Sequence, residues 1–151
     1  TPELSFYTSE EYRLTSILSD LIIPDTETKG ALAVGVPLFM DSLYTEWASK
    51  DTQVKHRKAH ALVKQTLDTL ANQDFISAPV EVQLSALNTL DQQAFSNTTE
   101  AADSYRGIKS LIARFYYFSE VGASQELRYE LVPGKWEPCV PVEKIGRTWA
   151  A

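Results

Sequence analysis

From residue 8 to residue 121, apolar residues recur every three or four positions, a period that fits amphipathic helices. Leu14, Ile17, Leu18, Leu21 and Ile22 form the first stripe. It opens with Thr8-Ser9-Glu10-Glu11, a capping box in which the Thr8 hydroxyl and the Glu11 carboxylate take up free amides. Tyr7 and Tyr12 flank the box as a hydrophobic staple, and Pro24 ends the helix because it lacks an amide hydrogen. After a polar turn at 25–30, a second helical region covers about 31–47. Gly35 and Pro37 predict a short first turn, a break, and a proper helix from Val36 with Pro37 in its first turn. A third region, about 52–71, repeats Ala59, Val63, Leu67 and Leu70 on one side. A fourth starts at Pro79 with Glu81 near its positive end, and presents Val80, Leu84, Leu87, Leu90 and Ala94. The fifth, about 100–121, carries Tyr105, Ile108, Ile112 and Phe115, and Gly122 is a natural stop.

Beyond Gly122 the pattern changes. Pro133, Pro138 and Pro141, with Gly134 and Gly146, interrupt any stripe, and no strand alternation lasts long enough to build a sheet. Yet the segment holds Leu127, Tyr129, Trp136, Val140 and Trp149, residue types in which disordered tails are poor. Fully extended, roughly 30 residues reach about 100 Å at ~3.3 Å each. The tail therefore packs on its own helices or lies on a partner. The expected architecture is all-α: a small helical bundle of about five helices (residues 1–122) with a long extended, mostly irregular C-terminal tail (123–151). That tail belongs to the same domain or wraps a partner. A chain of 151 residues fits one domain and buries about 70% of its unfolded surface, enough for an ordinary core.

Net charge is −6 and the pI about 4.9, which argues against nucleic acid and anionic lipid as partners. The longest apolar stretch, 31–40, is broken by Gly35 and Pro37 and is too short to span a membrane. Reactive constellations are missing. His56 and His60 share a helix face, but Lys55, Arg57 and Lys58 surround them and would repel a divalent ion, so a solvated basic patch is expected there. The six glycines are scattered singly, with no phosphate cradle and no nucleophile elbow. Cys139 stands near Pro138 and Pro141 with no activating base in the sequence around it. It is read either as an inert thiol or as a thiol that pairs with another chain. No catalytic, cofactor-binding or metal residue is assigned to this chain. It begins at Thr1 without an initiator methionine, which fits a removed leader or a trimmed start.

Two stretches resemble one family. The first is Leu21-Ile22-Ile23-Pro24-Asp25, then Gly30-Ala31, Gly35-Val36-Pro37 and Phe39-Met40-Asp41. The second is Tyr116-Tyr117-Phe118-Ser119-Glu120-Val121-Gly122, then Gln125-Glu126-Leu127-Arg128-Tyr129-Glu130, Val132-Pro133-Gly134, Trp136-Glu137 and Cys139. Together they are similar to the gluconate 2-dehydrogenase subunit 3 family, in the look of the second stretch above all to small subunits of glucoside 3-dehydrogenases. Residues 48–100 match only in being helical.

The resemblance implies a non-catalytic small subunit of a periplasmic FAD-dependent sugar or glucoside dehydrogenase. The FAD would sit in a separate flavoprotein of the glucose–methanol–choline (GMC) type, and electrons often leave such complexes through a cytochrome c subunit carrying haem c. The small subunit would hold no cofactor. It would carry a twin-arginine leader and help the flavoprotein fold, cross to the periplasm and stay stable. The resemblance places a bond to the flavin subunit at Cys139. Tyr116, Tyr117, Arg128, Tyr129, Trp136, Cys139 and Trp149 are the expected partner interface, several being residue types common at interface anchors. Glu120, Glu126 and Arg128 are expected either in a local ionic network at the start of the tail or against the flavoprotein. The competing reading is a stand-alone helical periplasmic protein that binds a sugar or another ligand.

Overall fold

A computed structural model of the chain describes residues 3–129, 134 and 139–149. Its described residues form an all-α bundle. Helix α1 is Ser9–Ile22, α2 is Val36–Glu46, α3 is Lys50–Ala71, α4 is Val80–Ser96 and α5 is Glu100–Phe118. A 3₁₀ turn, Phe75–Ser77, joins α3 to α4, and a short α6, Val142–Ile145, lies near the C-terminus. Helices α3, α4 and α5 pack against one another in the centre, while α1 and α2 pair with each other and close over α5.

The ends of the helices follow from local chemistry. At α1 the capping box forms: Glu11 N–H donates to Thr8 Oγ1 at 3.2 Å and Thr8 N–H to Glu11 Oε2 at 2.8 Å. Ser49 and Thr99 cap α3 and α5 in the same manner, each accepting from an amide of the first turn. Between α1 and α2 the chain folds back on itself. Ala31 N–H donates to the Ile23 carbonyl at 2.9 Å and Gly30 N–H to Asp25 Oδ1 at 2.6 Å. A Cβ at Gly30 would stand 2.3 Å from the Ile23 oxygen, so this turn accepts only glycine.

The stripes read from the sequence mostly build the core. Leu14, Leu18, Val63, Leu67, Ile108 and Ile112 are all buried. Two departures stand out. On α4, Val80 and Leu84 are exposed, and the buried line runs through Gln83, Ala86, Leu87, Leu90 and Ala94. Gln83 is admitted because its amide donates to the Phe75 carbonyl at 2.9 Å. Helix α5 ends at Phe118, short of the expected 121. Ser119 turns extended there and its hydroxyl donates to the Tyr116 carbonyl at 2.6 Å. The next turn, Gly122–Glu126, is wider than an α-turn and is closed by Leu127 N–H donating to the Gly122 carbonyl, five residues back. Gly122 is thus the start of that turn rather than the stop of α5.

The N-terminal segment is part of the fold. Asp41, buried on α2, accepts from the amides of Ser5, Phe6 and Tyr7 at 2.9, 3.0 and 2.6 Å. These bonds lay Phe6 and Tyr7 into the core beside α3.

Candidate interaction site

The residues expected at a partner interface separate into three groups. Tyr116 is a correction: it is a core residue, 2% exposed, four positions after Ile112 on the inward stripe of α5. Its hydroxyl donates to the Lys29 carbonyl at 3.1 Å and so ties α5 to the loop between α1 and α2. Tyr117 and Phe118, by contrast, face outward. Arg128 and Trp149 meet each other. The guanidinium lies 4.7 Å from the centre of the Trp149 ring, and Arg128 N–H donates to the Thr148 carbonyl at 2.8 Å. Tyr129 and Cys139 are exposed. Trp136 falls outside the described residues. Arg128 and residues 145–149 therefore fold onto one another, while Glu126 accepts from the Thr28 hydroxyl and anchors the turn to the loop after α1. Glu126 is engaged by Thr28 in place of an ionic link to Arg128.

The histidine pair is a second correction. His56 and His60 do not make a solvated basic patch; they are 6% and 1% exposed. Both lie on the stripe that continues through Val63 and Leu67, and the N-terminal segment covers them. His56 stacks on Tyr44 at 3.9 Å between ring centres and shares a 2.7 Å hydrogen bond with the Tyr7 hydroxyl through Nε2. Among the described residues neither ring nitrogen of His60 has a hydrogen-bond partner. Burial, followed by the His60 ring and the Arg57 cation, holds the His56 imidazole down at about 3. Burial also holds His60 down at about 4, with Glu11 pulling the other way and Arg57 adding to the depression. The same burial raises the Tyr7 hydroxyl far above its ordinary value. The cation that suggested a wet surface, Arg57, is itself engaged: it donates to the Phe6 carbonyl and to Glu11, and lies 4.4 Å from the centre of the Phe6 ring.

The sequence reading missed the outer face of α2. Phe39, Leu43 and Trp47 follow one another at four-residue spacing, and Trp47 is 80% exposed. Phe39 meets Phe115 of α5 edge to face at 5.2 Å, and Phe118 continues that row at 69% exposure. A groove of about 390 Å³ lies between α3 and α5 and shares Tyr44 and Thr52 with a hollow lined by Leu43 and Trp47, while a smaller hollow of about 170 Å³ is lined by Phe39, Phe115 and Phe118. The signal was present as Phe39-x-x-x-Leu43-x-x-x-Trp47, a second apolar stripe on a helix that already had a buried one. Among the described residues there is no cluster of three or more His, Cys, Asp or Glu able to hold a metal ion, and no helix long and apolar enough to cross a membrane.

What the fold presents is a helical bundle with large aromatic side chains turned outward. Residues 9–134 match the family model described as gluconate 2-dehydrogenase subunit 3, and the chain belongs to that family of dehydrogenase subunits. No curated sequence and no solved structure gives a significant match.

Proposed function

We propose that this chain is the non-catalytic small subunit of a periplasmic FAD-dependent sugar or glucoside dehydrogenase. It binds a GMC-type flavoprotein subunit, which holds the FAD and oxidises the sugar, and assists that subunit's folding, twin-arginine export and stability. A cytochrome c subunit is the electron exit in this reading. The observation that carries it is the family match over 9–134, since a chain of a subunit family works beside other subunits. Exposed aromatic side chains such as Trp47 and Phe118 add support, because rings of this kind serve as interface anchors.

Co-expression tests it. With this chain present, the flavoprotein should be recovered in the periplasm as a stable complex with sugar-dependent dye reduction, and this chain alone should show no turnover. A flavoprotein that is exported, soluble and fully active without it refutes the proposal. Cys139, exposed and the single cysteine of the chain, is proposed to bond to the flavoprotein. Non-reducing electrophoresis should show one band at the summed mass. Separate bands without reductant remove the disulfide from the picture.

A further inference from the structure

Three features of one side of the bundle converge. The first is the apolar face itself, formed by Phe39, Leu43 and Trp47 on α2 and extended by Phe115 and Phe118 on α5. Isolated exposed apolar residues are ordinary, but rows from two helices that touch, with Trp47 80% exposed, mark a contact surface.

The second is charge. The groove beside the face is lined by Lys55 of α3 and Arg114 of α5. Several cations pair within the chain: Arg57 with Glu11, Lys58 with Glu100, Lys64 with Asp68 and Asp74, Arg106 with Asp103, and Lys109 with Asp91. Among the described residues Lys55 and Arg114 have no ion-pair partner. The carboxylate that lines the groove with them, Asp103, is taken by Arg106. In a chain of net charge −6 the groove is a local positive site.

The third is Gly107. It stands in the middle of α5, a position where glycine weakens a helix relative to alanine. A Cβ there would meet nothing within 4 Å, so no contact inside the chain requires the absence of a side chain. Gly107 lines the groove, and a bare backbone at that point lets another chain approach closely.

We infer that the α2–α5 face with its groove is the seat of the larger subunit, which places on it a segment carrying apolar side chains and at least one carboxylate directed at Lys55 and Arg114. This rests on the accessory-subunit reading and deepens it by naming the surface. A second copy of this chain fits less well. Two such faces would bring together the cations of both copies, with the groove carboxylate already neutralised by Arg106.

The test uses the full chain co-expressed with the FAD-binding subunit, with affinity measured on the purified proteins. Gly107→Leu puts a side chain into the groove from a position where a Cβ meets nothing, Arg114→Glu reverses its charge, and Trp47→Ser removes an anchor. Each should keep a helical spectrum and cooperative melting and weaken the complex at least about tenfold, the loss expected when an interface anchor is removed. Arg128→Ala and Trp149→Ala, in the tail, should weaken it less. Wild-type affinity in all three face variants overturns the assignment. If only the tail variants lose binding, the accessory role stands and this face is not the seat. If the wild-type chain does not bind the flavoprotein, the accessory reading fails and takes this one with it. If the face variants instead abolish self-association of the isolated chain and leave flavoprotein binding intact, the occupant is a second copy and the inference is wrong.

Discussion

Acid should destabilise this fold well before its carboxylates titrate, because both of its histidines are buried neutral. In the unfolded chain each takes a proton near the ordinary value of 6.5; in the folded chain they do so only at about 3 for His56 and about 4 for His60. Between these limits the unfolded state binds more protons, so stability falls as the pH drops through 6.5. At about pH 5 the unfolded form is 1.5 units below that value, which is worth about 2 kcal/mol for each histidine at ~1.4 kcal/mol per unit. Together they should remove about 4 kcal/mol relative to about pH 7.5, a large share of the roughly 5–15 kcal/mol that holds a domain folded.

Urea unfolding of the isolated chain at about pH 7.5, 6 and 5 measures this directly. With slopes of about 1–3 kcal/mol per molar, the midpoint should fall by about 1–4 M over the range. Groups facing the pair are Tyr7 from the N-terminal segment, Glu11 from α1, Tyr44 from α2, and Arg57 and Lys64 from α3. Tyr7, Tyr44 and Lys64 are all raised above their ordinary values, the tyrosines by burial and Lys64 by its bond to Asp68, and do not change charge in this window. His56→Gln with His60→Gln should flatten the profile whatever it does to absolute stability, and either single change should halve the slope. A midpoint that moves by less than about 1 kcal/mol equivalent, or imidazole resonances titrating near 6.5 in the folded chain, refutes the reasoning.

The two helix-region glycines should respond in opposite directions. At Gly122 a Cβ would stand 2.1 Å from the Tyr116 oxygen, so Gly122→Ala should lower stability by about 1–3 kcal/mol in thermal or urea melts. Gly107→Ala meets nothing and should raise it by roughly 0.5–1 kcal/mol. Asp41→Ala strips three amides of a charged acceptor, and should cost about 3 kcal/mol and speed hydrogen exchange at Phe6 and Tyr7. Exchange at those amides unchanged from wild type would show that the N-terminal segment is held by packing alone.

Helix placement was legible because it is local. Caps, prolines and three-to-four spacing lie within a few residues of what they determine, and Thr8 and Pro37 act where they stand in sequence. What was misread depends on partners far along the chain. His56 and His60 share the stripe of Val63 and Leu67, but the adjacent cations dominated the local pattern. Of these, Arg57 is held by Glu11 and the Phe6 carbonyl, 46 and 51 residues away, and Lys58 by Glu100, 42 residues away. Tyr116 was grouped with Tyr117 at the expected interface, although its spacing from Ile112 marks it as inward. Val80 and Leu84 were assigned inward because they are apolar, whereas the buried line of α4 accepts a glutamine whose amide has a carbonyl to bond. The second apolar stripe on α2 lies outside the buried core, with only Phe39 meeting a ring of α5, so a reading aimed at the core passes over it.

The family match begins at residue 9, yet the cooperative unit begins earlier. Asp41 is 2% exposed, and a carboxylate so placed is tolerated because the amides of Ser5, Phe6 and Tyr7 surround it. Arg57 depends on the same segment, since one branch of its guanidinium donates to the Phe6 carbonyl. The Tyr7 ring packs against both histidines, with ring centres 5.8 and 5.4 Å away, and forms part of the wall between them and solvent. A chain cut back to the matched range would lose all three at once. It would retain a buried carboxylate without its amide donors, which lowers stability, and it would admit water to His56 and His60, which returns their proton affinity toward the unfolded value. Absolute stability and histidine-driven acid sensitivity should therefore fall together in the shortened chain. Acid sensitivity that persists at full size after residues 1–8 are removed would mean that the helices alone bury the pair, and that Tyr7 contributes packing without the seal.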